Sequence, residues 1–73
     1  RGMAYMSKLI NDLVGKQCII RSEFIFSFAG KTELSCKIID ADDEWIKICY
    51  TEKKDRQIVK LMRIENIESI EEQ

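Results

Sequence analysis

The sequence predicts a mainly β domain, a short N-terminal α-helix followed by a strongly bent five-stranded antiparallel sheet. Three observations predict it. Apolar residues follow a helical period only near the start and then switch to a period of two. The strand-like runs are separated by short turns carrying Gly, Asp or dense charge. No proline occurs anywhere in the chain, so no ladder donor is lost within the strands. At 73 residues this is one small domain with a thin core. A domain of this size gains stability when a partner covers apolar surface that the core cannot.

Arg1-Gly2-Met3 reads as an expression remnant before an initiating methionine, and residues 1–6 as a flexible lead outside the domain, which spans 7–73. Ser7 is the expected N-cap of a helix running to Val14, with Leu9, Ile10, Leu13 and Val14 on one face. Gly15 ends it through a left-handed residue. Two turns of helix are not stable alone, so this stripe must lie on something.

From Gln17 the period is two. Cys18, Ile20, Phe24, Phe26 and Phe28 share one parity, broken at Ser22, while Ile19 and Ile25 fall on the other. This predicts one long strand from Gln17 to Phe28 with a mostly buried face. Ala29-Gly30-Lys31-Thr32 is the expected hairpin turn, and Leu34, Cys36 and Ile38 line the buried face of the return strand. Asp40-Ala41-Asp42-Asp43-Glu44 is a second turn, where Asp side chains bond their own backbone. Trp45 to Thr51 alternates Ile46, Ile48 and Tyr50 against Trp45, Lys47 and Cys49. Residues 52–56 form a charged loop, 57–64 a fourth strand and 66–70 a short fifth strand, with 71–73 a polar tail. Five short strands on so few residues are expected to curl and close on themselves, with the helix plugging one open end.

Composition narrows function. The net charge is −1 with a pI near 5.4, which opposes broad electrostatic binding to nucleic acid but leaves room for a local basic patch. There is no histidine, and Cys18, Cys36 and Cys49 match no metal spacing, so they read as buried thiols in a reducing compartment. The acidic turn lacks the glycine of a calcium loop and has no burial to drive its carboxylate pKa values apart. No nucleophile sits beside a base. The expectation is a non-enzymatic protein with no cofactor, no metal and no small-molecule substrate. No window has the length of a membrane span and no signal peptide is evident, which predicts a cytoplasmic location.

Three segments carry a family resemblance. Leu13-Val14-Gly15-Lys16-Gln17-Cys18-Ile19-Ile20 after a short helix resembles the opening of Sm-like proteins. Asp40, followed by Trp45-Ile46-Lys47-Ile48, is similar to the end of the family's first motif. Met62-Arg63-Ile64-Glu65-Asn66-Ile67-Glu68-Ser69-Ile70 resembles the second. The resemblance implies an Sm-like (SH3-like) barrel that forms homo-oligomeric rings, the fourth strand of one subunit pairing with the fifth of the next, and that binds single-stranded RNA. Asp42 and Glu44 stand where the family stacks on and reads a base, and carboxylates repel phosphate. Ile64 replaces the glycine that follows the motif's Arg.

The residues expected at an RNA site are Asp40, Trp45, Lys53, Lys54, Arg56, Arg63 and Asn66. The residues expected at a subunit interface are Phe24, Ile25, Ile58, Val59, Met62 and Ile67. Ile58, Val59, Leu61, Met62 and Ile64 are apolar on both parities, as befits an edge strand covered by another subunit. The alternatives are a protein-interaction or scaffold module in the same fold without RNA binding, and a monomeric SH3-like accessory domain.

Overall fold

The computed structural model describes residues 8–73, so the Ser7 cap and the lead before it lie outside the described residues. The described chain enters in a helical turn, 8–11 (α1), and residues 12–15 continue as turns. Gly15 has the positive φ expected of it, +88°, and its N–H donates to the Ile38 carbonyl at 2.7 Å. Ile10 is buried, and Leu13 and Val14 pack beside it. Three of the four residues of the expected stripe therefore cover the sheet, whereas Leu9 is 63% exposed.

Five strands form one antiparallel sheet: β1 (Gln17–Arg21), β2 (Glu33–Ala41), β3 (Trp45–Glu52), β4 (Arg56–Arg63) and β5 (Ser69–Glu72). Their spatial order is β4-β3-β2-β1-β5. The inner face carries Cys18, Ile20, Leu34, Cys36, Ile38, Ile46, Ile48, Tyr50 and Met62. Period-two reading placed each β2 and β3 member of this set correctly. A register shift between Ile38 and Asp40 inserts an extra residue in β2, and such a bulge bends and twists its strand. No hydrogen bonds join β4 to β5 among the described residues, so the sheet is bent with two edges and not a closed ladder.

The long second element is not a strand. β1 stops at Arg21, and Glu23–Ala29 forms a helix (α2) inside the β1–β2 hairpin. The hairpin itself survives: Arg21 is paired with Glu33, their side chains form an ion pair, and the Ser22 N–H reaches the Thr32 carbonyl at 2.9 Å. Ser22, the break in parity, is the N-cap. It is fully buried, its Oγ accepts from the Phe24 N–H at 3.1 Å, and Glu23 places an acidic group in the first turn. Gly30 closes α2 at φ +74°, its N–H donating to the Phe26 carbonyl at 3.1 Å. Gly30 thus needs its positive φ for a helix C-cap, not for a hairpin turn.

The helix inverts the expected burial. Ile25, out of phase for a strand, is fully buried, while Phe26 is 61% exposed. Phe24 and Phe28, one helical turn apart, meet edge-on with centroids 5.6 Å apart, and Phe28 lies 5.8 Å from the Tyr50 ring.

The last strand is also shifted. Residues 64–66 form a 3-10 turn, with Ile64 buried and its N–H bonded to the Glu44 carbonyl at 2.8 Å. β5 then takes in Glu71 and Glu72 of the expected tail and pairs with β1, Ile20 opposite Ile70 and Cys18 opposite Glu72.

Candidate interaction surface

Leu9 and Phe26 are exposed singly, and the outer face of the β3–β4 hairpin groups three further exposed apolar side chains. Strand alternation turns Trp45, Lys47, Cys49 and Thr51 outward on β3. The register sets them against Arg63, Leu61, Val59 and Gln57 on β4. Val59 is 59% and Leu61 53% exposed, and Trp45 is 38% exposed. Ile39, at the β2 bulge, is exposed as well. Asp40, Ala41, Asp42, Trp45, Lys47 and Leu61 line a shallow depression of about 160 Å³.

The residues expected at an RNA site do not form one site. Asp40, Trp45, Arg63 and Asn66 gather near the β2–β3 turn, and Lys53, Lys54 and Arg56 sit at the β3–β4 hairpin turn. These groups occupy opposite ends of β3, roughly 23 Å apart at the usual strand rise. Arg63 lies over the Trp45 ring, 5.3 Å from its centroid, and 3.7 Å from the Glu65 carboxylate. Its Nε is buried without a hydrogen-bond partner. Asn66 takes part through its main chain, its carbonyl accepting from Ser22 Oγ at 2.6 Å.

The acidic turn is held by its own side chains. Asp42 Oδ1 accepts from the N–H groups of Trp45 at 2.8 Å and Glu44 at 2.9 Å, and these bonds hold the Asp42 carboxyl below the usual carboxylate range. Asp40 Oδ1 accepts from the Ala41 N–H at 2.9 Å. Asp42 therefore fixes the turn that carries Trp45 into β3. No group of three or more His, Cys, Asp or Glu side chains is arranged to hold a metal among the described residues.

At the other end, Lys54 and Asp55 both have positive φ, +64° and +62°, a conformation that side chains with a Cβ disfavour. Lys53, Lys54 and Arg56 are exposed at this tip.

The six residues expected at a subunit interface divide by burial. Phe24 and Val59 are exposed, and Ile58 and Ile67 are partly buried against the core. Ile25 and Met62 are interior to the single chain, at 0% and 1% exposure, and a partner cannot reach them. Leu61 and Ile39 are the surface residues this set lacks. Both carried a signal: β4 is apolar on both parities, and Ile39 shares the outward parity of Glu33, Ser35 and Lys37.

The three thiols divide in the same way. Cys18 and Cys36 are fully buried and directly opposed across β1 and β2. Burial foremost, then the neighbouring Cys18 and Cys49, pushes the Cys36 thiol up to about 12. Burial and Glu72 raise Cys18 against an opposing effect of Lys16. The ladder bonds from Ile38 N–H to the Lys16 carbonyl and from Ser22 N–H to the Thr32 carbonyl set the hydrogen-bonded rungs at even-numbered β1 positions, which include Cys18–Cys36. Side chains on such rungs stand farther apart than the ~3.8 Å between Cβ atoms that a disulfide needs. Cys49 is only partly buried and lies on the outer face.

No family model matches the chain, and no curated protein and no solved structure is significantly similar to it. No helix among the described residues is long and apolar enough to cross a membrane.

Proposed function

We propose that this chain is a non-enzymatic binding module that assembles with copies of itself edge to edge, in the manner of the Sm-like proteins its sequence resembles. One observation carries the reading: the sheet has two unpaired edges of opposite charge. β4 carries Arg56 and Arg63, and β5 carries Glu71 and Glu72 just after Glu68. Unpaired strands are templates for pairing, and unlike edges pair head to tail, which gives a ring if the rotation closes and a filament if it does not. The non-enzymatic part rests on the titratable groups. Cys18, Cys36 and Tyr50 are raised above their ordinary values, chiefly by burial, which keeps them protonated at neutral pH, and Asp42 is lowered by backbone bonds in an exposed turn.

Sedimentation velocity across a concentration series tests the assembly. Multiples of the 8.6 kDa chain are expected, reduced to smaller species by Glu71→Lys with Glu72→Lys. A monomer at every concentration would refute the edge pairing.

A second reading, RNA as ligand, is favoured by the Trp45–Arg63 pair, which offers a stacking face next to a phosphate partner. Asp42, Asp43 and Glu44 beside it oppose phosphate, which favours a protein as the bound partner. Fluorescence anisotropy with U-rich and A-rich oligonucleotides at low salt separates the two, because electrostatic association is strongest there. Binding lost in Arg63→Ala supports RNA, and its absence removes RNA.

A further inference from the structure

We propose that the outer face of β3 and β4 docks a second copy of this chain across a two-fold axis, turned end for end so that the acidic turn of each copy lies on the basic hairpin tip of the other. The inference is independent of the edge pairing, since it uses a face of the sheet and not its edges.

The surface is polar along its length. At one end are Asp40, Asp42, Asp43 and Glu44, all exposed. At the other are Lys53, Lys54 and Arg56, also exposed. Between them Trp45, Leu61 and Val59 stand in the open with Cys49 among them; Lys47 and Arg63 lie on the same face near the acidic end, and Glu52 and Asp55 beside the basic tip, so each end keeps its sign with reduced charge. A strip ordered acid, apolar, base matches itself when rotated by half a turn about an axis through its centre. Two-fold interfaces are self-complementary in this way, each residue meeting a different residue of the mate. The same rotation matches each apolar centre with its equivalent and removes Val59 and Leu61 from water. Any other occupant must itself carry unlike charges at both ends of an apolar strip, and the chain already does.

The size of the face sets the strength. The eight residues of β3 span about 23 Å, and two strands about 10 Å across, roughly 230 Å² for each copy. That is under half of the ~800 Å² per partner of a stable interface, so the face dimer is weak and concentration-dependent. Its end charges make it sensitive to salt.

Cys49 reports the geometry. Along β3 the outward positions run from Trp45 to Thr51, and Cys49 lies one residue step, about 3.3 Å, from their midpoint. The two Cys49 thiols of the dimer therefore come within reach of a short bis-maleimide, whereas Cys18 and Cys36 are buried and do not react.

The test is cross-linking of the full chain by a short bis-maleimide over a concentration series, read by denaturing electrophoresis, with sedimentation equilibrium on the untreated protein. A covalent dimer is expected, absent in Cys49→Ser and diminished by high salt. Lys53→Glu with Lys54→Glu should weaken the dimer about tenfold, as should Asp43→Lys with Glu44→Lys, and the chain carrying all four changes should recover it. Glu71→Lys with Glu72→Lys, aimed at the β5 edge, should leave this cross-link intact, which separates failure of this inference from failure of the edge pairing. Cross-linking indifferent to either charge reversal, no recovery in the four-fold variant, or no dimer at the highest concentration would overturn the proposal.

Discussion

Replacing Ser22 with alanine should cost the domain about 2 kcal/mol, because one buried hydroxyl serves two elements. Its Oγ accepts from the Phe24 N–H at 3.1 Å, capping α2, and donates to the Asn66 carbonyl at 2.6 Å, tying α2 to the turn before β5. Loss of an N-cap side chain costs about 1 kcal/mol. Leaving a part-buried carbonyl without its donor adds about 1 kcal/mol, the low end for such groups because the Asn66 residue is exposed. The backbone bonds of Ser22, to the Thr32 carbonyl and from the Ile25 N–H, are untouched by the change. For a domain of this length, 2 kcal/mol lowers Tm by roughly 8–16 °C. Thermal and urea unfolding followed by circular dichroism measures it. Ser22→Gly separates the contributions, since glycine is nearly as good a cap as serine but cannot reach Asn66; its cost should be about half that of alanine. Were residues 23–29 an extended strand, Ser22 would cap nothing. A loss under about 0.5 kcal/mol in Ser22→Ala, the range of an unremarkable surface change, would refute the reasoning.

Two further predictions concern strain and burial. Lys54→Gly removes a Cβ from a residue held at φ +64° and should raise Tm by roughly 2–4 °C, the net of about 1 kcal/mol of relieved strain and about 0.5 kcal/mol of added unfolded-state freedom; a lowered Tm would show that the turn carries no such strain. Cys36 is an acid whose folded pKa is raised from 9.0 to about 12, so both states are protonated below pH 9 and only the unfolded state ionises between those values. Stability should be flat below pH 9 and then fall by up to about 1.4 kcal/mol per pH unit from this thiol, with the slope reduced in Cys36→Ala. Urea midpoints between neutral and alkaline pH measure it, and a flat alkaline limb in the parent protein would contradict the burial of this thiol.

The strands that read correctly from sequence are those whose two faces differ. In β2 and β3, Leu34, Cys36, Ile38, Ile46, Ile48 and Tyr50 alternate with polar neighbours, and all of them are buried. Alternation failed at Phe24-Ile25-Phe26-Ser27-Phe28, where apolar residues are dense enough to satisfy a period of two and a period of 3.6 together. The signal that decides between them was present. Ser22 and Gly30 bracket a two-turn interval as N-cap and left-handed C-cap, and Glu23 suits the first turn. Parity alone made Ser22 a flaw in a strand when its chemistry made it the start of a helix. β5 was misplaced for another reason: as an edge strand it buries little, so Glu71 and Glu72 look like a tail although both are paired with β1.

The misassigned helix also hid which face of β4 is exposed. With apolar residues on both parities, the polar residues of β4 conflict: Lys60 argues that its own parity, with Ile58 and Met62, faces water, and Gln57 and Arg63 argue for the parity of Val59 and Leu61. The structure follows Gln57 and Arg63: Met62 is 1% exposed, Val59 and Leu61 are more than half exposed, and Lys60 lies on the inner side. What makes an inward Lys60 tolerable is α2. The Lys60 ammonium lies 4.2 Å from the centroid of the Phe28 ring, and the aromatic face compensates for part of the water it has lost. Phe28 is in that position only because residues 23–29 are helical and Phe24 and Tyr50 flank it. The apolar strip of Val59 and Leu61 is therefore turned outward by a contact made from a different element. A period counted along β4 alone has no access to that contact, and a Phe28→Ala chain, in which Lys60 loses its ring, is the one in which β4 should be least firmly held.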